Sequence, residues 1–135
     1  MLKKTIEYTD YNGVTRKEDF YFNLSKAELI EMELGTDGGY AEMLQKIVDA
    51  QNGPAIIKTM KELILKAYGE KSADGKHFEK GEELSKRFSQ TEAYSMLFME
   101  LSTNVEAATE FFNGIMPADL AKAMAAKTTA IPASI

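Results

Sequence analysis

The sequence predicts an α+β protein, mostly α: an N-terminal β-hairpin followed by a bundle of about five to six short helices. Three features of the chain carry that expectation. Apolar residues alternate with polar ones over the first 22 positions. From Ser25 onward the apolar spacing changes to three and four. Gly, Asn and Pro then interrupt the helical part at short intervals.

In the first strand Leu2, Ile6 and Tyr8 share one parity, and Lys3, Thr5 and Glu7 the other. In the second, Val14, Phe20 and Phe22 alternate with Thr15, Lys17 and Asp19. The turn length follows from the faces. A two-residue Asn12-Gly13 loop sets Ile6 and Tyr8 against Asp19 and Lys17. A three-residue loop over 11–13 sets Leu2 against Phe22, Lys4 against Phe20 and Ile6 against Glu18. The second register gathers the apolar residues on one face, with Lys4, Arg16 and Glu18 as exceptions, and gives Gly13 the left-handed position of a bulged turn. A lone two-stranded hairpin is marginal in water, so this one needs a cover.

Ser25 and Glu28 have the spacing of a capping box and open a helix reaching Leu34, with Ala27, Leu29, Ile30 and Leu34 as its apolar residues. After the glycine-rich break at 35–39, Tyr40, Met43, Leu44, Ile47 and Val48 form one helical face. Asn52-Gly53 ends that helix and Pro54 suits the first turn of the next, whose stripe is Ile56, Met60, Leu63, Ile64 and Ala67, with Gly69 as a C-terminal stop. Residues 70–81 lose all periodicity and read as a solvated loop. Leu84 and Phe88 mark a helix over Glu82–Ser89. Thr91 caps one carrying Tyr94, Leu97, Phe98 and Leu101, and Asn104 caps one carrying Val105, Ala108, Phe112 and Ile115. A last short helix is expected over 119–127. The expected organisation is a single domain over 1–127, with hairpin 2–22 and helical part 25–127, and a flexible tail over 128–135.

Composition narrows the function. The 135 residues suit about one domain, and 44% hydrophobic with 27% charged is ordinary for a folded soluble protein. Sixteen Lys+Arg against 21 Asp+Glu leave a net charge of −5, which disfavours a phosphate backbone, so nucleic acid is not expected as a partner. No apolar run is long enough to span a membrane, and the N-terminal residues have no apolar signal region. With no cysteine, disulfides, thiolate metal sites and a cysteine nucleophile are excluded.

The search for chemistry finds no constellation. Gly69-Glu70-Lys71-Ser72 and Gly75-Lys76-His77 miss the phosphate-loop pattern. His77 is the one histidine, so no histidine-based metal triad forms. Glu31/Glu33 and Glu82/Glu83 diverge around their helices rather than forming an acid–base pair. The expectation is a non-enzymatic protein with no cofactor, no metal and no catalytic residue. The positive signal is apolar. Met96 and Met99 fall off the core stripe of their helix, and Phe111, Phe112, Ile115 and Met116 widen the apolar sector of the next. Methionine adapts to differently shaped partners, so these six residues are the candidate partner-binding set. The competing reading is that they fill the core.

The hairpin followed by Phe20-Tyr21-Phe22-Asn23-Leu24-Ser25-Lys26-Ala27-Glu28-Leu29, the stretch Tyr94-Ser95-Met96-Leu97-Phe98-Met99-Glu100-Leu101, and the stretch Ala107-Ala108-Thr109-Glu110-Phe111-Phe112-Asn113-Gly114-Ile115-Met116-Pro117 resemble the tail assembly chaperones of long-tailed bacteriophages. The resemblance spans residues 2–117. It implies a protein that binds the tape-measure protein, keeps it soluble and helps recruit tail tube protein. It also implies action in the host bacterial cytoplasm during infection and absence from the mature virion. Self-association into a homo-oligomer is expected from the uncovered hairpin and the surplus apolar helix surface. The alternative is a structural phage tail subunit, a tail tube or tail-completion protein, which would normally need more strand.

Overall fold

The computed structural model describes residues 1–117; the expected helix at 119–127 and the tail at 128–135 lie outside them. The chain opens with strands β1 (Leu2–Thr9) and β2 (Thr15–Phe22), antiparallel, with Leu2 opposite Phe22, Lys4 opposite Phe20 and Ile6 opposite Glu18. This is the register of the three-residue loop. Asp10 organises the turn. Its carbonyl accepts from Gly13 N at 2.9 Å, its carboxylate accepts from Asn12 N at 2.8 Å and Val14 N at 2.9 Å, and Gly13 sits at φ +78°. Only a residue without Cβ takes that conformation freely.

The three charges on the apolar face of the hairpin are each paired. Lys4 Nζ lies 2.9 Å from Glu100 Oε1, Arg16 Nε donates to Asp10 Oδ2 at 2.6 Å, and the Tyr8 hydroxyl donates to Glu18. Pairing is what lets charge share a face with buried residues.

Helix α1 (Lys26–Leu34) begins at the capping box, with the Ser25 hydroxyl accepting from Glu28 N at 3.1 Å and Glu28 accepting from Ser25 N at 3.0 Å. Helix α2 (Tyr40–Asp49) follows the glycine-rich turn. Helix α3 (Gly53–Ala67) is capped by Asn52, whose side-chain oxygen accepts from Ala55 N at 3.2 Å, and has proline in its first turn.

Here the structure departs from the expected loop at 70–81. Strands β3 (Tyr68–Lys71) and β4 (Phe78–Glu79) form a second hairpin, giving one sheet in the order β1-β2-β3-β4. Strands of four and two residues are too short to display alternation. The sheet specifies them instead, through Tyr21 opposite Gly69 and Phe22 opposite Tyr68. The turn between them is built from short-range bonds: Ser72 Oγ to Asp74 Oδ1 at 2.7 Å, His77 N to Ser72 Oγ at 3.0 Å, and Ser72 N to His77 O at 2.9 Å. Gly69 is therefore a strand residue and not the helix stop. A Cβ there would lie 2.7 Å from the Glu79 carbonyl oxygen and 2.6 Å from the Phe78 ring. The helix stops at Ala67 because Tyr68 turns extended into β3.

Helices α4 (Glu82–Ser89), α5 (Glu92–Thr103) and α6 (Val105–Ile115) complete the described chain. Thr91 caps α5 by accepting from Tyr94 N at 3.1 Å. Asn104 ends α5 and starts α6, donating its N–H to Glu100 O and accepting from Ala107 N at 3.0 Å. The core lies between the inner face of the sheet and α3 to α6. Phe22, Leu24, Ile64, Leu97 and Ile115 are its fully buried large side chains. Phe22 meets Tyr68, Phe88 and Phe111 edge-on at 5.8, 5.7 and 5.1 Å, and Tyr68 stacks flat on Phe88 at 4.2 Å. Such aromatic pairs add to the area they bury. The hairpin is thus covered by its own helices: Gly114 of α6 approaches so closely that a Cβ there would lie 2.9 Å from Leu2.

Candidate partner interface

The fold divides the six candidate residues by depth. Phe111 is 2% exposed and Ile115 is not exposed at all; both belong to the core, where the Ile115 carbonyl also accepts from Leu24 N at 2.7 Å. A partner touching the folded surface does not reach them. Phe112 and Met116 are half-buried at the core margin, with the Phe112 ring edge-on to Phe111 at 5.7 Å. Met96 and Met99, at 52% and 56% exposed, stand open on α5. The helical phase explains the split. Ala93, Leu97 and Leu101 recur every four residues and are the buried stripe, leaving Met96 and Met99 on the flank and the back of the helix.

Met99 borders a groove of about 430 Å³. Tyr11 at the hairpin tip, Lys61 on α3, and Tyr94 and Phe98 on α5 are among its walls. Phe98 and Tyr94 are half-buried and in ring contact at 5.9 Å, so their faces extend the apolar floor from the core outward. Burial pushes the Tyr94 hydroxyl above its ordinary pKa, and at Tyr11 desolvation and the neighbouring Glu92 carboxylate do the same.

A second apolar surface lies away from these residues. None of α1 is buried: its apolar residues Ile30 and Leu34 are exposed, as are Ile56 and Ile57 on α3. Among the described residues, the main packing contact of α1 is with α2. Its low amphipathicity, with Glu28, Glu31 and Glu33 scattered among the apolar positions, is the signal in the sequence that separates it from α2 and α6.

Among the described residues no cluster of three or more His, Asp or Glu side chains is arranged to hold a metal ion, and no helix is long and apolar enough to cross a membrane. His77 lies exposed beyond β3, its backbone committed to the turn at Ser72. What the surface offers is apolar and adaptable area around α5 and α1 to α3 on an acidic chain.

An α+β fold that exposes methionine and aromatic side chains offers the kind of surface by which proteins bind one another. Comparison with known families makes this specific: residues 1–134 match the phage tail assembly chaperone family, and the chain belongs to it. No curated protein and no solved structure matches the chain.

Proposed function

We propose that this chaperone binds the tape-measure protein of a long-tailed phage, keeps it soluble, and helps bring tail tube protein to it during assembly in the host cytoplasm, leaving before the virion is complete. The observation that carries this reading is the pair Met96 and Met99, open to solvent on a helix whose opposite side is fully packed. A long helical client repeats its apolar faces, and several weak contacts along it add up. Adaptable side chains suit a client with many slightly different sites. The groove beside Met99 receives the client, with Phe98 and Tyr94 as its floor; Phe112 on α6 and Met116 just after it lie at the core margin. The protein acts by binding, with no catalytic step, and self-associates through its surplus apolar surface. The family membership supports the chaperone role, and the exposed methionines support a site on α5.

Co-expression with the tape-measure protein is the test. Wild-type chain is expected to bring the client into the soluble fraction and to be missing from purified virions. A client equally soluble without the chain, or the chain found at stoichiometric level in virions, refutes the reading and favours a structural tail subunit.

A further inference from the structure

The helices cover a face of the first hairpin, but its side is a sheet edge. β1 pairs with β2 on one side and, among the described residues, with no strand on the other. Such an edge presents a row of backbone donors and acceptors to any further strand.

Which residues form that row follows from the hydrogen bonds. In an antiparallel ladder, pairs that exchange backbone bonds alternate with pairs that do not. Asp10 N donates to Val14 O at 2.9 Å, and this pair continues the register of Leu2 with Phe22, so the even residues of β1 bond to β2. The far side of β2 agrees. Asn23 N donates to Ala67 O at 2.8 Å in the register of Tyr21 with Gly69, so the odd residues of β2 turn to β3 and the even ones to β1. The N–H and C=O groups of Lys3, Thr5 and Glu7 therefore point outward from the edge. The same three residues carry the exposed side chains of the strand's outer face.

Charged side chains on an edge usually keep other strands away. Here their order favours one partner, a second β1. When two copies of the strand run antiparallel with Thr5 opposite Thr5, Lys3 of each copy stands opposite Glu7 of the other. Opposite charges directly across two strands attract. The facing residues are also those whose backbone groups point outward, so each donates one bond and accepts one across the seam. On the inner face Leu2 meets Tyr8, and Lys4, whose ammonium is held by Glu100, meets Ile6. Shifting the register by two residues sets Glu7 against Thr5 and Lys3 against Thr9, and both charge pairs are lost. Shifting it by one sets inner-face residues against outer-face ones.

We propose that two copies of this chain join their β1 strands, antiparallel about a two-fold axis at Thr5, into one continuous sheet. The interface is isologous, so each copy offers the other the same lysine and the same glutamate. The inference rests on the self-association read above and gives it a surface, the sheet edge, apart from the apolar helix faces.

Sedimentation of the full chain from about 1 µM to about 1 mM tests it, with thermal melts to check each variant's fold. Wild type is expected to pass from monomer to dimer. Lys3→Glu sets Glu against Glu and Glu7→Lys sets Lys against Lys, so each is expected to weaken the dimer about tenfold or more. An equimolar mixture of the two restores both opposite-charge pairs and is expected to dimerise as wild type does. The chain carrying both changes restores them within one sequence, and serves if either single variant folds poorly. Amide exchange gives an independent readout: the N–H groups of Lys3, Thr5 and Glu7 are expected to slow with rising concentration, while those of Lys4 and Ile6 hold steady. A wild-type chain monomeric throughout overturns the dimer and the self-association together. A dimer indifferent to all three variants leaves self-association standing and overturns the β1 edge, as does a mixture that stays monomeric. Protection of the Lys3, Thr5 and Glu7 amides only when tape-measure protein is added gives the edge to a client strand and overturns the second copy.

Discussion

The depth at which the fold places Phe111 and Met96 separates the residues that make the protein from those that serve a partner, and two substitutions expose the difference. Phe111 is 2% exposed and meets the Phe22 ring at 5.1 Å. Truncating such a phenylalanine to alanine costs about 3–5 kcal/mol, because the lost contacts are joined by a cavity the neighbours fill only in part. For 135 residues the entropy of unfolding near the midpoint is about 0.28 kcal/mol per degree, so Phe111→Ala lowers Tm by roughly 10–18 °C. Met96 is 52% exposed, and a surface change there is worth about 0.5 kcal/mol or less. One correction is needed for Met96→Glu. It stands four residues from both Glu92 and Glu100, so like-charge repulsion adds about 0.2–0.5 kcal/mol per pair. Met96→Gln removes that complication. The expected melts are therefore a fall of a few degrees for Met96→Glu, about 2 °C or less for Met96→Gln, and a large fall for Phe111→Ala. In co-expression, Met96→Glu is expected to leave more tape-measure protein insoluble despite its intact fold. If Met96→Glu melts as low as Phe111→Ala, Met96 is enclosed in the working protein and the surface argument fails. If it melts normally and the client stays fully soluble, Met96 is no part of the client surface.

Gly69→Ala is expected to destabilise by about 1–3 kcal/mol in a chemical melt, since its Cβ would press on the Phe78 ring and the Glu79 carbonyl; an unchanged midpoint would mean that β4 is not held where the structure has it. Ser25→Ala removes half the capping box and is expected to cost about 1 kcal/mol, read the same way. Acid sensitivity follows from Glu28. Burial alone raises its pKa, but the hydrogen bonds from Lys80 and Ser25 N outweigh burial and hold it below the ordinary carboxylate range. A carboxyl depressed on folding contributes stability that is present above its unfolded pKa and lost as pH falls through the folded one. Melts from pH 6 down to about pH 3 are thus expected to show a smaller loss in Lys80→Met than in wild type, the two curves converging at low pH; parallel curves would remove Glu28 from the account.

The long elements were legible because their patterns are redundant. The β1–β2 register followed from Leu2, Ile6, Phe20 and Phe22 needing one face, and the turn chemistry at Asp10 and Gly13 agrees with it. The caps at Ser25, Thr91 and Asn104 are local, so four residues of sequence contain the whole device. What the sequence hid is non-local. β3 and β4 exist because Tyr68 and Gly69 complete a sheet edge supplied by residues about 47 positions earlier, and no window around residue 70 contains that information. The same holds for the candidate site. Met96 and Met99 were identified by their phase against Leu97, which a helix fixes locally. The sequence pattern puts the α6 stripe on Val105, Ala108, Phe112 and Ile115, whereas the fold buries Phe111 with Ile115 and leaves Val105 exposed, because helical phase alone does not say which flank β1 and β2 lie against.

Exposed apolar surface is a liability for any protein that must stay dispersed, and the arrangement here limits it in two ways. The net charge of −5 keeps copies apart while leaving short-range apolar contact available to a client. The apolar residues are also distributed. Met96 and Met99 sit on α5, Ile30 and Leu34 on α1, Ile56 and Ile57 on α3, and Val14 and Tyr11 on the hairpin tip. A second copy meets one such patch at a time, so self-association through them is weak and concentration-dependent. A long client that touches several of them at once gains what a compact neighbour cannot, because each contact raises the effective concentration for the next. The distribution therefore selects for an extended partner over a globular one. It predicts that short fragments of the tape-measure protein bind far more weakly than long ones. Affinity measured against a length series is expected to rise by more than tenfold from a fragment spanning one patch to one spanning two. An affinity independent of fragment length would place all of the binding in a single patch and end this argument.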